Sequence, residues 1–368
     1  MHVQLHTLTS LPVHVPNRGA DGLAKRAVYG GYERQRISYQ ASQYALRHSD
    51  VMQDLEKAAG IGHTTRTALV AERLLQPALE KAGVSDAETW THTIMALWRR
   101  EEQESNAEDQ EDQKAAPLIV GEQEIRLFAA VVKACLAAAK TPTDLRKLVE
   151  KARPPKGTPE PVVEAIEALK TARGSAGLDG ALFGRMATGI AVATVDRCVR
   201  ISDALTTHAI TPVADFFLTT DDLKDRAAGE AGGSHINTRE LAAGLFYRHV
   251  VIDTGQMERN GVPLSVIQPL VSALLTVSPI GNRAPARTVE ALVEAGGHVR
   301  SLMDAYAEPI SELNAAVNAL RGQAGKDYEL YGAPSHALWL SEQAPVKIHS
   351  LAAATAAAVG VTGNKEAA

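Results

Sequence analysis

Between residues 34 and 47 the chain sets out arginines, a serine and amides at spacings that a phosphate backbone could use. Arg34, Arg36 and Ser38 stand at i, i+2 and i+4, so an extended backbone turns all three to one face. Gln40, Gln43 and Arg47 share one face of a helix expected from Gln40 to His48. The start of that helix offers N–H donors and a positive dipole end. Guanidinium forks and amide donors converging on a helix start suit a phosphodiester chain. A basic strand edge followed by a soluble helix face would carry the same letters.

Two further segments have binding character. Gly184-Arg185-Met186-Ala187-Thr188-Gly189 places an arginine and a projecting methionine between glycines that allow close approach of a ligand. A strand end with a core methionine reads the same way. Leu205 to Thr238 contains Asp215-Phe216-Phe217 and then a polar stretch ending in Gly232-Gly233-Ser234-His235, which predicts two extended arms around a long tip. Its aromatics are either core residues or wedges against nucleobases.

Enzymatic signatures do not accompany these segments. There is no G-x-x-x-x-G-K-[ST], no G-x-G-x-x-G after a strand, no G-x-S-x-G and no H-E-x-x-H. His2 and His6 have the spacing of a helical metal pair, but in a strand they would stand roughly 13 Å apart. Asp221-Asp222 reads as a turn with solvated acids. No metal and no cofactor is expected. Cys135 and Cys198 lack zinc-type spacing and are expected to be buried thiols.

The elements that must position these residues follow from periodicity. Val3 to Leu8 alternates as a strand, and Gly30-Gly31 breaks the chain before a short extended segment over 34–38. Val70, Leu74 and Ala78, with Leu75 and Leu79 beside them, predict a helix stopped near Gly83. Ile125, Phe128, Val132, Cys135, Leu136 and Ala139 predict a second, and Val163, Ile166 and Leu169 a third after a proline-rich connector. From Gly174 onward short alternating runs are expected to replace long helices. Leu245 to Ile252 is a strand, Pro263 opens a helix through Leu275, and 298–306 is ambiguous between strand and helix. The Ala-rich end after 352 is expected to fray. The order predicts an α+β domain with an inserted helical subdomain.

A 368-residue chain with 45% hydrophobic and 22% charged residues has the composition of a soluble globular protein. No run of about eighteen apolar residues predicts a membrane span, and the first ten residues do not read as a signal peptide. The net charge of -5 weighs against a nucleic-acid partner only if charge is evenly spread. It is not: Glu101 to Asp112 holds seven carboxylates and no base, which predicts a polar surface loop. Lys25, Arg18, Arg26, Arg34, Arg36 and Arg47 outweigh Asp21, Glu33 and Asp50 in the first fifty residues.

Taken in order, several segments resemble the Cascade backbone subunit of type I-E CRISPR systems, the CasC family. They are Val28-Tyr29-Gly30-Gly31 with Arg36-Ile37-Ser38 and Gln40; Gly184-Arg185-Met186-Ala187-Thr188; Ala204-Leu205-Thr206-Thr207-His208; Asp221-Asp222-Leu223; Ser234-His235 with Thr238; and Phe246-Tyr247-Arg248. The likeness extends to about residue 310 and is weakest in the helical insertion and the last fifty residues.

The resemblance implies a hand-like fold. An RRM-like, ferredoxin-type palm would take residues 1–50 and 175–310, a helical finger subdomain 51–174, a β-hairpin thumb 204–238 and a C-terminal segment 311–368. It implies a cytoplasmic, non-catalytic subunit whose copies line up along a CRISPR guide RNA, beside other Cascade subunits. Such copies displace one base at regular intervals and present the rest to target DNA. Lys25, Arg34, Arg36, Ser38, Gln40, Gln43 and Arg47 would line the phosphate track. Met186 and Phe217 would bracket the displaced base, with Leu218 and Thr220 nearby and Arg185 in the RNA-binding set. Gln43 falls where lysine is common in the family, and the acidic run has no counterpart. Related backbone subunits of other CRISPR types cut bound target RNA with a loop aspartate, so a metal-dependent endoribonuclease using Asp215, Asp221 or Asp222 is the alternative. A scaffold without RNA contact is the third reading.

Overall fold

The computed structural model describes residues 1–15, 17–92, 117–136, 156–171, 174–185, 194–211, 213–219, 235–279, 286–341 and 347–360. The chain divides into two compact units, one of 1–52, 200–252 and 267–368, the other of 53–199 and 253–266.

In the first unit, β1 (His2–His14) is buried on both faces from Val3 to Thr9, which marks a central strand rather than a half-exposed one. It is followed by β2 (Arg26–Tyr29), β3 (Tyr32–Ile37), α1 (Tyr39–Arg47) and, running on into the second unit, α2 (Asp50–Ala59). Gly30 turns β2 into β3 with φ +62, and a Cβ there would meet the Ala307 carbonyl oxygen at 1.9 Å. Only glycine satisfies both conditions. Ser38 ends β3 and caps α1, its hydroxyl accepting the Ala41 N–H at 3.4 Å.

The second unit holds β4 (Thr64–Thr67), α3 (Gln76–Lys81), β5 (Leu118–Gly121), α4 (Glu122–Leu136), α5 (Glu160–Thr171) and α6 (Gly177–Phe183). β4 and β5 pair antiparallel. One apolar cluster joins Leu75 and Leu79, Val120, the Ile125, Phe128, Val132 and Cys135 stripe, and Val162. Thr64 ties α6 to β4, since its hydroxyl donates to the Ala176 carbonyl and accepts the Asp179 N–H, both at 3.1 Å. The acidic run 101–112 lies outside the described residues.

Back in the first unit come β6 (Val199–Ile201), β7 (Ala204–Thr206), β8 (Val213–Thr219) and β9 (His235–Asp253), and α7 (Thr254–Arg259) returns to the second. Then α8 (Ile267–Thr276), β10 (Arg287–Ala295), α9 (Leu313–Tyr331), β11 (His336–Ser341) and α10 (Ile348–Ala358) complete the chain. Among the described residues, nine strands form one sheet with path β11-β10-β1-β9-β7-β3-β2, and β6 and β8 also pair with β9. β1 with β10, β10 with β11, β2 with β3, β3 with β7 and β7 with β9 are antiparallel. β8 pairs antiparallel with the first part of β9, from Val213↔Leu241 to Thr219↔His235, so the two expected extended arms are neighbours.

One face of the sheet carries Leu8, Leu245, Tyr247 and Leu292 beneath Ala316, Val317, Leu320 and Ala324 of α9. The same face holds a buried polar group. His6 stacks on His249 with centroids 4.5 Å apart, Nδ1 of His6 lies 2.9 Å from the Tyr247 hydroxyl, and Nε2 lies 3.5 Å from Glu294. Arg300 bridges Glu294 and Asp327 at 3.1 and 3.0 Å.

Two expectations give way here. Long helices do not end at 174, because α9 runs for 19 residues. Its buried side mixes Ala316, Ala324 and Asp327 with Val317 and Leu320, and it contains Gly322 and Gly325, which weaken the sequence signal. The ambiguous stretch 298–306 is neither strand nor α-helix: Met303–Tyr306 forms a 3₁₀ turn.

Candidate nucleic-acid interface

Lys25, Arg26 and Arg36 surround one open hollow of about 390 Å³ at the β2 end of the sheet, with Asp21 and the 19–24 loop completing its wall. Strand pairing makes it. β2 and β3 hydrogen-bond with Arg26 opposite Gln35, and the Arg36 N–H donates to the Lys25 carbonyl at 2.8 Å.

The hollow's arginines are braced by carboxylates. Nε of Arg36, about one third exposed, lies 2.8 Å from Oδ2 of Asp203. The other oxygen of Asp203 accepts the Tyr39 N–H at 2.8 Å, so one carboxylate joins β3 to the first turn of α1. Arg26 contacts Glu240 and lies 3.3 Å from Glu33, and Glu240 also accepts the Ala24 N–H at 2.9 Å. Such bracing fixes the guanidinium planes and reduces the positive field at the hollow.

The expected common face of Arg34, Arg36 and Ser38 is split by burial. Arg34 is fully buried: Nη1 donates to the Thr207 and Thr206 carbonyls at 2.7 and 3.3 Å, and Nη2 to those of Tyr306 and Ala307 at 2.8 and 3.2 Å. It ties two distant backbone segments to β3 and is closed to a phosphate. Ser38 is buried as the cap of α1, its own N–H held by Asn17 at 3.0 Å. The donors expected at this helix start are partly spent on Asp203 and Ser38. Gln40 is exposed, and Gln43 and Arg47 are half-buried on the same helix.

Arg185 likewise holds structure. Its fork pairs with both oxygens of Glu124 at 2.7 Å and reaches the Ile119 carbonyl at 2.7 Å, all within the second unit. Gly184 closes α6 with φ +80, and a Cβ there would press on Arg197 N and Val195 O at 2.9 Å. Its close neighbour is therefore the chain itself. Met186, Thr220, Asp221 and Asp222 lie outside the described residues. Phe217 and Leu218 pair with Asn237 and Ile236 in the β8–β9 ladder, and the adjacent Phe216 is 60% exposed.

Sequence reasoning passed over Arg26, Asp203 and Tyr44. Arg26 could have been found from its place before Val28-Tyr29-Gly30, whereas Asp203 lies more than 160 residues from its partners. Tyr44 stands four residues after Gln40 on the same helix face, is 62% exposed, and stacks on His48 with centroids 3.9 Å apart. The described residues contain no group of His, Cys, Asp or Glu placed to hold a metal ion. Cys135 and Cys198 are buried and free, and burial pushes their thiols up to about 11 and about 12. Among the described residues no helix is long and apolar enough to cross a membrane.

These features define a mixed α/β protein with an antiparallel-paired sheet and a carboxylate-braced basic hollow at one end of it. The chain belongs to the CT1975-like protein family, whose model matches residues 3–361. No curated protein matches. Among solved structures, a chain of a "CRISPR RNA-guided surveillance complex, pre-nicking" is 21% identical with a TM-score of 0.73, covering 97% of this chain and 100% of that one. A chain of a "CRISPR RNA-guided surveillance complex" is 18% identical with a TM-score of 0.65 over the same shares. The fold is thus that of subunits of such complexes.

Proposed function

We propose that this chain is a guide-RNA-binding backbone subunit of a CRISPR surveillance complex, of the type I-E Cascade kind, and that it holds RNA without cutting it. The observation that carries this reading is the fold likeness over the whole length of chains from such complexes. The hollow formed by Lys25, Arg26 and Arg36 supports a phosphate track on the first unit, continued along α1 by Gln40, Gln43, Tyr44 and Arg47. Tyr44 offers a ring to a base, which any base can use.

In this reading the sheet-bearing unit is the RRM-like palm, the second unit contains the finger, and the β8–β9 hairpin is the thumb. Further copies add along the RNA beside other subunits of the complex, in the cytoplasm. Met186 and Phe217 bracket a base displaced at regular intervals, with Leu218 and Thr220 nearby, leaving segments to pair with target DNA. Protein contacts go to phosphate and sugar, and pairing supplies sequence specificity.

The test is to purify the full chain with a CRISPR transcript and extract its nucleic acid. RNA of uniform length is expected, and complementary RNA added with magnesium remains whole. Absence of RNA contradicts the binding role. Evenly spaced cleavage lost in Asp215→Ala, Asp221→Ala or Asp222→Ala contradicts the non-catalytic one.

A further inference from the structure

Away from the hollow, the sheet-bearing unit has a second, much smaller space. It lies beneath α1 against β1, β3, β7 and β9 and measures about 20 Å³. One water-sized species needs roughly 10–15 Å³, so there is room for one and not for a phosphate group. Leu11, Ile37 and Phe246 are among its apolar walls.

Arg248 also lines it and is only 7% exposed. Its Nη2 donates to the Leu274 carbonyl, but its Nε has no hydrogen-bond partner, and no carboxylate pairs with it among the described residues. Burial lowers this guanidinium to about 10, which still leaves it charged at neutral pH. Ser42, 5% exposed, lines the same space, and its hydroxyl has no hydrogen-bond partner among the described residues. A cation and a hydroxyl donor thus line one ion-sized space, with Thr9 and Ser278 also among its otherwise apolar walls. Buried charge without a counter-charge is strongly disfavoured, and a water supplies a dipole but no charge.

We infer that this cavity is a monatomic-anion site, in which a chloride-sized ion taken from solution is held by Arg248 Nε and the Ser42 hydroxyl. The ion neutralises Arg248 and braces α1 against the sheet through Ser42. Apolar walls favour weakly hydrated ions, so affinity should rise from fluoride to chloride to bromide. This assignment is independent of the RNA-binding reading.

Crystals of the full chain grown in sodium bromide test it directly, through an anomalous peak between Arg248 and Ser42. In parallel, melting is followed in fluoride, chloride and bromide at constant ionic strength. The melting temperature is expected to rise along that series, and by about 2–3 °C per tenfold bromide once the site fills. General salt effects run in the opposite direction, with larger halides destabilising. Arg248→Met should abolish the rise and Ser42→Ala should reduce it. Absence of the peak overturns the assignment, as does wild-type protein that melts lower in bromide than in fluoride. A peak without any effect on melting means an adventitious ion only and overturns it too. Should Arg248→Met fail to fold, the bromide peak and the wild-type series still decide.

Discussion

Arg34 and Arg36 stand two residues apart on one face of β3 and have opposite fates. The first is sealed under backbone carbonyls from two distant segments, while the second keeps about a third of its surface beside a single aspartate. Substitution should separate them. Arg34→Ala is expected to cost about 3 kcal/mol or more, because it leaves buried carbonyls without donors, as read by urea denaturation. Arg36→Ala should leave stability within about 1 kcal/mol and weaken binding to RNA of any sequence, with the salt slope reduced by about 0.7. Equal losses of stability in the two variants would sink the distinction. Residue types and spacing made the basic face legible. They could not tell which end of it is covered, because the cover arrives from residues 206–207 and 306–307.

The paired histidines make a second prediction at this scale. Burial, and then the neighbouring His6, lower His249 from 6.5 to about 3. Burial also lowers His6, against the pull of Glu294. Burial alone would raise the Glu294 carboxyl, yet His6, Tyr328 and Arg300 hold it down at about 2. For a histidine with a depressed folded pKa, the unfolded chain binds the proton first, so stability falls as pH drops below 6.5. His249 alone should remove about 2 kcal/mol between pH 6.5 and 5. The Glu294 contribution is lost later, below 4.5. Denaturation midpoints at pH 7 and pH 5 check this, and the difference should shrink in His249→Gln. A midpoint unchanged between the two pH values would contradict it.

At the scale of elements, the β2–β3 turn shows how local and distant constraints meet in one residue. Gly30 needs a positive φ for the turn and an absent Cβ for the Ala307 carbonyl. Gly30→Ala is therefore expected to destabilise the protein by about 2–4 kcal/mol, whereas Gly31→Ala meets open space and costs only its backbone strain, about 1 kcal/mol. Matched thermal melts of the two variants would show equal losses if the close approach were absent. Strong periodicity made β1, α1, the α4 stripe and the second part of β9 readable, whereas Ser38, read as a phosphate contact, is the cap of α1. α9 was not, since alanine and glycine blur its apolar side, and β10 and β11 went unread. Their burial depends on which strands lie beside them, and a single sequence does not state that.

For the molecule as a whole, the net charge of -5 and the basic hollow are compatible because charge is segregated along the chain. The hollow's arginines carry their own carboxylates, so its positive field is modest, and in the proposed function RNA would compete with Asp203 and Glu240 for them. The proposed filament would work with such sites, since many weak contacts along one RNA sum to firm binding. The central claim is sequence-independent binding through phosphates. Titration of the full chain with RNAs of equal length and unrelated sequence, at several salt concentrations, tests it most directly. One affinity is expected for all of them, falling along a single straight line as log salt rises. Affinities that differ tenfold between sequences, or that hold steady from low to moderate salt, would contradict it.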